Sequence, residues 1–228
     1  MPDQEREAPT DPSRIYEGRG DVPLSRPIMQ GDIFVGSAWA VDESPPMSMV
    51  IQHPCTIRKG AGLREHLTVV AVRPRQALRH QDWQGFGHLM PLPDLQESAY
   101  YAADFCETTS LRSETLNRED RVAALSNYGI CVLHQRLTHY MTRFTIDVAT
   151  LAETFEGIAA EMELLYEWVD AALDAADGEA PSKVIAREEV LFHAYLEDND
   201  RERRSKLKDA LGRPDLRREV RQEIARRF

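Results

Sequence analysis

The densest chemistry in this sequence lies in His53-Pro54-Cys55-Thr56-Ile57-Arg58-Lys59, which sets an imidazole, a thiol and two cations within seven residues. A thiol beside basic residues can lose its proton more easily, and His53 could accept that proton. Nucleophilic catalysis also needs a group to orient the base, and none is identifiable nearby. A cysteine at a strand end is more often a small buried apolar residue. A catalytic thiol is therefore not expected.

A second cluster is cationic. Arg73, Arg75, Arg79 and His80 follow an apolar run. With Arg58 and Lys59 they could line one sheet edge and grip phosphates, while Trp83 or Phe86 stacks on bases. The plainer alternative is solvated loop charge. A metal site would draw on His53, Cys55, His66, His80, His88, Cys106, Cys131, His134 and His139. None of these forms a Cys-x-x-Cys or His-x-x-x-His pair, and His134 and His139 do not share a helical face. No metal is expected. Asp104, Glu107, Glu114 and Asp120 make no recognisable carboxylate pair. Gly-x-Gly-x-x-Gly, Walker and Gly-x-Ser-x-Gly motifs are missing, so no cofactor is expected.

The elements that must position these residues follow from periodicity. Residues 1–27 are rich in Pro, Asp, Glu, Arg and Gly and read as a mobile leader. Strands are expected around Ile33-Phe34-Val35, over Met47–Gln52, over the β-branched Leu67–Val72, around His88–Leu92 and over Tyr100–Cys106. Glu43-Ser44-Pro45-Pro46 supplies a turn and Lys59-Gly60-Ala61-Gly62 a flexible loop.

The apolar period then changes from 2 to 3.6. Ser126 caps a helix to about Phe144, with Val132, Leu133, Leu137, Tyr140, Met141 and Phe144 as a stripe facing the sheet. Gly129 weakens its first turn. A long amphipathic helix covers about Val148 to Ala176. Its stripe runs through Leu151, Phe155, Ile158, Met162, Leu165, Trp168, Val169 and Leu173, and its other face is acidic. Ser182 caps a further helix, and two short basic helices surround Gly212-Arg213-Pro214. The fold class is α+β: a small SH3-like β-barrel over residues 28–145, closed by a helix, then a helical region over 146–228.

The first part of the chain resembles the PemK/MazF-like toxin family. Gln30-Gly31-Asp32-Ile33-Phe34 looks like that family's opening strand, and Met49-Val50-Ile51-Gln52 and Leu67–Val72 look like its second and third strands. Asp104-Phe105-Cys106-Glu107-Thr108-Thr109-Ser110-Leu111 looks like its late strand, and the helix from Ser126 like its closing helix. The likeness covers about residues 28–144. It implies a dimeric endoribonuclease with a base just before the second strand and a hydroxyl just after the third. Here those positions hold Pro45-Pro46 and Arg73-Pro74. His53, Arg58 and Arg73 are the substitutes on offer for a nuclease. Otherwise the barrel is kept and the nuclease lost.

Bulk properties narrow the setting. Apolar runs are too short for the roughly 20 residues that span a bilayer. The acidic start lacks the features of a signal peptide. The three cysteines are odd in number and widely spaced, so a cytoplasmic, reduced protein is expected. The formal net charge is −10, which argues against a general nucleic-acid coat. Residues 201–228 nevertheless carry 11 Lys and Arg against five Asp and Glu, hence +6, which leaves −16 on the rest. These halves could attract each other, or the tail could seek an anionic partner.

Three functions remain. The preferred one is a non-catalytic interaction or nucleic-acid-associated module, from a defence or mobile-element system, meeting RNA or DNA through Arg58, Lys59, Arg73, Arg75 and Arg79. The second is an endoribonuclease with substituted residues. The third is a structural protein that joins copies or partners through Leu151, Phe155, Ile158, Met162 and Trp168.

Overall fold

The computed structural model describes residues 5–37, 39, 47–59, 62–96, 99–198 and 202–228. The expected turn at 43–46, Gly60-Ala61 and the first four residues lie outside these. The chain divides into two compact units. One comprises Met1–Val22, Ile28–Ile57 and Arg64–Thr154. The other comprises Pro23–Pro27, Arg58–Leu63 and Phe155–Phe228.

In chain order the elements are α1 (Pro12–Ile15), β1 (Tyr16–Arg19), β2 (Asp32–Val35), β3 (Met47–Val50), α2 (Pro54–Ile57), β4 (Arg58–Lys59), β5 (Gly62–Leu63) and β6 (His66–Pro74). After the 3-10 helix His80–Gly85 come β7 (Leu89–Gln96), β8 (Ala99–Arg112), β9 (Arg121–Leu125), α3 (Asn127–Thr142), α4 (Val148–Ala175), α5 (Pro181–Glu197), α6 (Glu202–Lys208) and α7 (Arg213–Arg227).

The first unit is a nearly closed antiparallel barrel of seven strands in the order β1-β9-β2-β3-β6-β8-β7. Arg19 on one edge strand donates to the carbonyl of Asp94 on the other. Ile33, Met47, Met49, Val70, Val72, Met90 and Leu92 fill the interior, and Val132 and Leu133 of α3 pack into the same core. Alternation along β-branched strands places these residues inward.

Three elements, α1, β1 and β9, differ from the sequence expectation. Residues 12–19, expected within a mobile leader, form α1 and β1. Ile15 is fully buried, and Tyr16 pairs with Leu125 of β9. That burial and pairing offset the ordering entropy that composition alone leaves uncompensated. β9 itself escapes periodicity because Ala123 and Ala124 have weak strand propensity; both are fully buried.

Ser126 caps α3 as expected, accepting from the Gly129 amide at 3.0 Å. Gly129 is a requirement here rather than a weakness. A Cβ there would lie 2.3 Å from the Ile15 carbonyl oxygen. The expected stripe also ends early: Met141 is 73% exposed within α3, and Phe144, 74% exposed, lies beyond the helix, which stops at Thr142 with Arg143 left-handed at φ 66°.

The second unit packs α4 to α7 around Leu164, Leu165, Trp168, Phe192, Leu196, Leu207, Leu216 and Val220. Nε1 of Trp168 donates to Glu188 at 3.1 Å. α5 starts with Pro181 at its first position and Ala180 as cap, not Ser182. Trp168, expected as a contact for other chains, is fully buried in this core, so it offers no surface to a partner. The opposite charges attract within the unit. Arg213 reaches Glu156, Arg217 lies 2.6 Å from Glu163, and Arg221 lies 2.6 Å from Glu167. No helix among the described residues is long and apolar enough to cross a membrane.

Candidate functional site

The residues singled out for chemistry separate into three places. The first lies where β3 ends and α2 begins, facing α3. Gln30 is buried, and its Nε2 donates to the Ile51 carbonyl at 2.8 Å. Its Oε1 therefore faces His134, whose Nε2 donates to it at 2.7 Å. The ring of His53 meets that of His134 edge-on, with centroids 5.6 Å apart. Nδ1 of His53 accepts from the Cys55 amide at 3.2 Å. Gln52 ties the loop down, accepting from the Thr68 amide at 2.9 Å and donating to the Thr56 carbonyl at 2.5 Å.

Both imidazoles are biased toward the neutral form. Burial pushes His134 down to about 4, with repulsion from His53 as the smaller cause. Shielding of the His53 ring also lowers its pKa. Both shifts disfavour the charged, proton-donating imidazolium. Cys55 is exposed. Among the described residues no cluster of three or more His, Cys, Asp or Glu side chains is arranged to hold a metal ion.

The second place is the outer end of β6 against β8. A register shift after Val70 bulges β8 and carries Asp104 and Glu107 next to the cations. Arg73 grips Glu107 with Nε at 2.9 Å and Nη2 at 2.7 Å. Arg75 lies 3.4 Å from Asp104. Arg73 hydrogen bonds hold the Glu107 carboxyl below the usual range. Arg79 closes on Asp82 at 2.9 Å, three residues along its own chain.

The third place belongs to the helical unit. Arg58 forms a two-point pair with Glu189, at 3.2 and 3.3 Å, with both side chains mostly buried. Its neighbour Lys59 is exposed. The five cations proposed to grip phosphate thus fall into two units, Arg58 and Lys59 in one and Arg73, Arg75 and Arg79 in the other. Four of them carry an intramolecular carboxylate.

The sequence reading named His134, Asp104 and Glu107 but not their pairing, with Gln30 and His53 for the first and with Arg75 and Arg73 for the others. Asp104 and Glu107 lie 29 and 34 residues from Arg75 and Arg73, and only the β6–β8 pairing joins them. No protein-family model matches this sequence, and no curated protein is similar enough to match it.

Proposed function

We propose that this chain is a non-catalytic interaction module built on a nearly closed barrel, with the outline of the PemK/MazF-like toxins and without their nuclease chemistry. The observation that supports this most is the clamping of Arg73 by Glu107. A cation that stabilises a phosphoryl transition state must present its charge to the phosphate. Here a phosphate would first have to displace a carboxylate held by two short hydrogen bonds. The two imidazoles add to the argument. Cleavage next to a 2′-hydroxyl needs a base and an acid, and both rings are biased toward neutral.

The test is direct. Pure protein is incubated with long single-stranded RNA, and short RNA is titrated at 50 and 200 mM salt. The expected result is intact RNA and affinity no better than the non-specific range of roughly 0.1 mM at physiological salt. RNA that wild type cuts and His53→Ala leaves whole would establish the nuclease reading instead. Tight, steeply salt-dependent binding without cleavage would make the module nucleic-acid-associated.

A further inference from the structure

Arg6, Glu7 and Ala8 belong to no helix or strand, yet their backbone is bonded almost as fully as a strand's. The partners are side chains. Gln84 reads both polar groups of one residue: its Oε1 accepts from the Arg6 amide at 3.1 Å and its Nε2 donates to the Arg6 carbonyl at 2.7 Å. Gln135 accepts from the Glu7 amide at 2.6 Å, and Nε of Arg136 donates to the Glu7 carbonyl at 2.6 Å. Nδ1 of His80 donates to the Ala8 carbonyl at 3.1 Å.

Two of these side chains are themselves held in place. Gln135 donates to the Ile146 carbonyl at 2.9 Å, and Nη1 of Arg136 to the Leu89 carbonyl at 2.8 Å. The side chains of the segment are read as well. Ala8 is buried in a pocket with Trp83, Leu89 and Ala102, and the Glu7 carboxylate accepts from the Tyr128 hydroxyl at 2.9 Å.

The fit is incomplete at Arg136. Arg136 is 0% exposed, and its Nη2 has no hydrogen-bond partner among the described residues. Burial and the nearby Arg6 push the Arg136 guanidinium down to about 10. The resident segment thus leaves a donor of Arg136 unused, and its Glu7 charge opposes the repulsion from Arg6.

We propose that the groove between α3 and the 3-10 helix His80–Gly85 docks an extended peptide of a partner protein, recognised as a carboxylate residue followed by a small one, and that Arg6–Ala8 occupies it in cis. Contacts to backbone groups supply affinity for any extended chain, while the Ala8 pocket and Tyr128 select the side chains. The tether through Pro9 to α1 gives the resident copy a high effective concentration, so an incoming peptide has to compete with it. The proposal rests on the interaction-module reading. RNA cleavage would sink that reading, whereas lost peptide binding with intact RNA sinks only the groove.

The experiment uses the full chain, wild type and Ala8→Arg, and a labelled peptide spanning Glu5–Asp11. The arginine cannot enter the alanine pocket, so the variant expels its own segment. The peptide is expected to bind the variant at least about tenfold tighter than wild type, because wild type must first release its tethered copy. A peptide with Arg at the alanine position should bind neither chain. Equal affinity for both chains, or no binding to a folded variant, overturns the proposal. If Ala8→Arg does not fold, amide exchange on wild type decides. Excess peptide should speed exchange at Arg6 and Glu7 while α3 stays protected, and unchanged exchange overturns the groove. A wild-type dimer whose mass halves in excess peptide would assign the occupant to a second copy and overturn the partner-protein version.

Discussion

Nη1 of Arg121 lies 2.9 Å from Oδ2 of Asp32, and both side chains are wholly buried between β9 and β2. The same oxygen accepts from the Met29 amide at 3.0 Å. Removing one partner strands a charge in the core, at a cost of about 3–5 kcal/mol. Asp32→Ala should lower the unfolding free energy of the barrel by that amount, measured by urea titration followed by circular dichroism. A loss under about 1 kcal/mol would show that the pair is not buried as described.

Gly129 sets two effects against each other. Alanine in a helix interior normally gains about 1 kcal/mol over glycine. Here its Cβ would meet the Ile15 carbonyl at 2.3 Å, far inside contact distance. Gly129→Ala should therefore destabilise the barrel, and strain at β1 should show as faster amide exchange at Tyr16. A stabilised variant would mean that α1 does not pack against α3.

Stability of the barrel should fall in acid through His134. Its folded pKa, about 4, lies below the ordinary 6.5. Between those values the unfolded chain binds the extra proton, so the contribution is present above about pH 6.5 and is lost as pH falls toward 4. At about 1.4 kcal/mol per pKa unit, the loss is at most about 3.5 kcal/mol. His134→Gln should flatten the pH dependence of the urea midpoint over that range. An unchanged slope would assign the acid sensitivity to other groups.

In the helical unit, packing should outweigh ion pairs. Trp168 stacks edge-on to Phe192 at 5.7 Å and is fully buried, so Trp168→Ala should cost about 3–5 kcal/mol. Glu163 is partly exposed, so Glu163→Gln should cost no more than about 1 kcal/mol even though Arg217 and Arg221 both reach it. Thermal melts of the two variants in low and high salt separate these cases: only the second cost should shrink with salt.

Local chemistry was legible wherever a residue's role depends on its neighbours in sequence. The strands around Ile33, Met49, Val70, Met90 and Phe105, and the Ser126 cap, follow from side-chain period and capping alone. β1, β9 and the docked Arg6–Ala8 segment do not, because their apolar and hydrogen-bonding partners lie far along the chain. Ile15 is buried only once β1 has paired with β9, more than a hundred residues later.

The sequence by itself determined the central strands and the helices after Ser126, the change from sheet to helix there, and the excess of cations in the tail. Only the tertiary structure decided which cations remain available. Arg73 reads as a phosphate ligand until the β8 bulge places Glu107 beside it, and the tail reads as a search for an anion until α4 supplies one. Charge is a property of a residue, but its compensation is a property of distance, and distance between remote residues exists only in the folded chain.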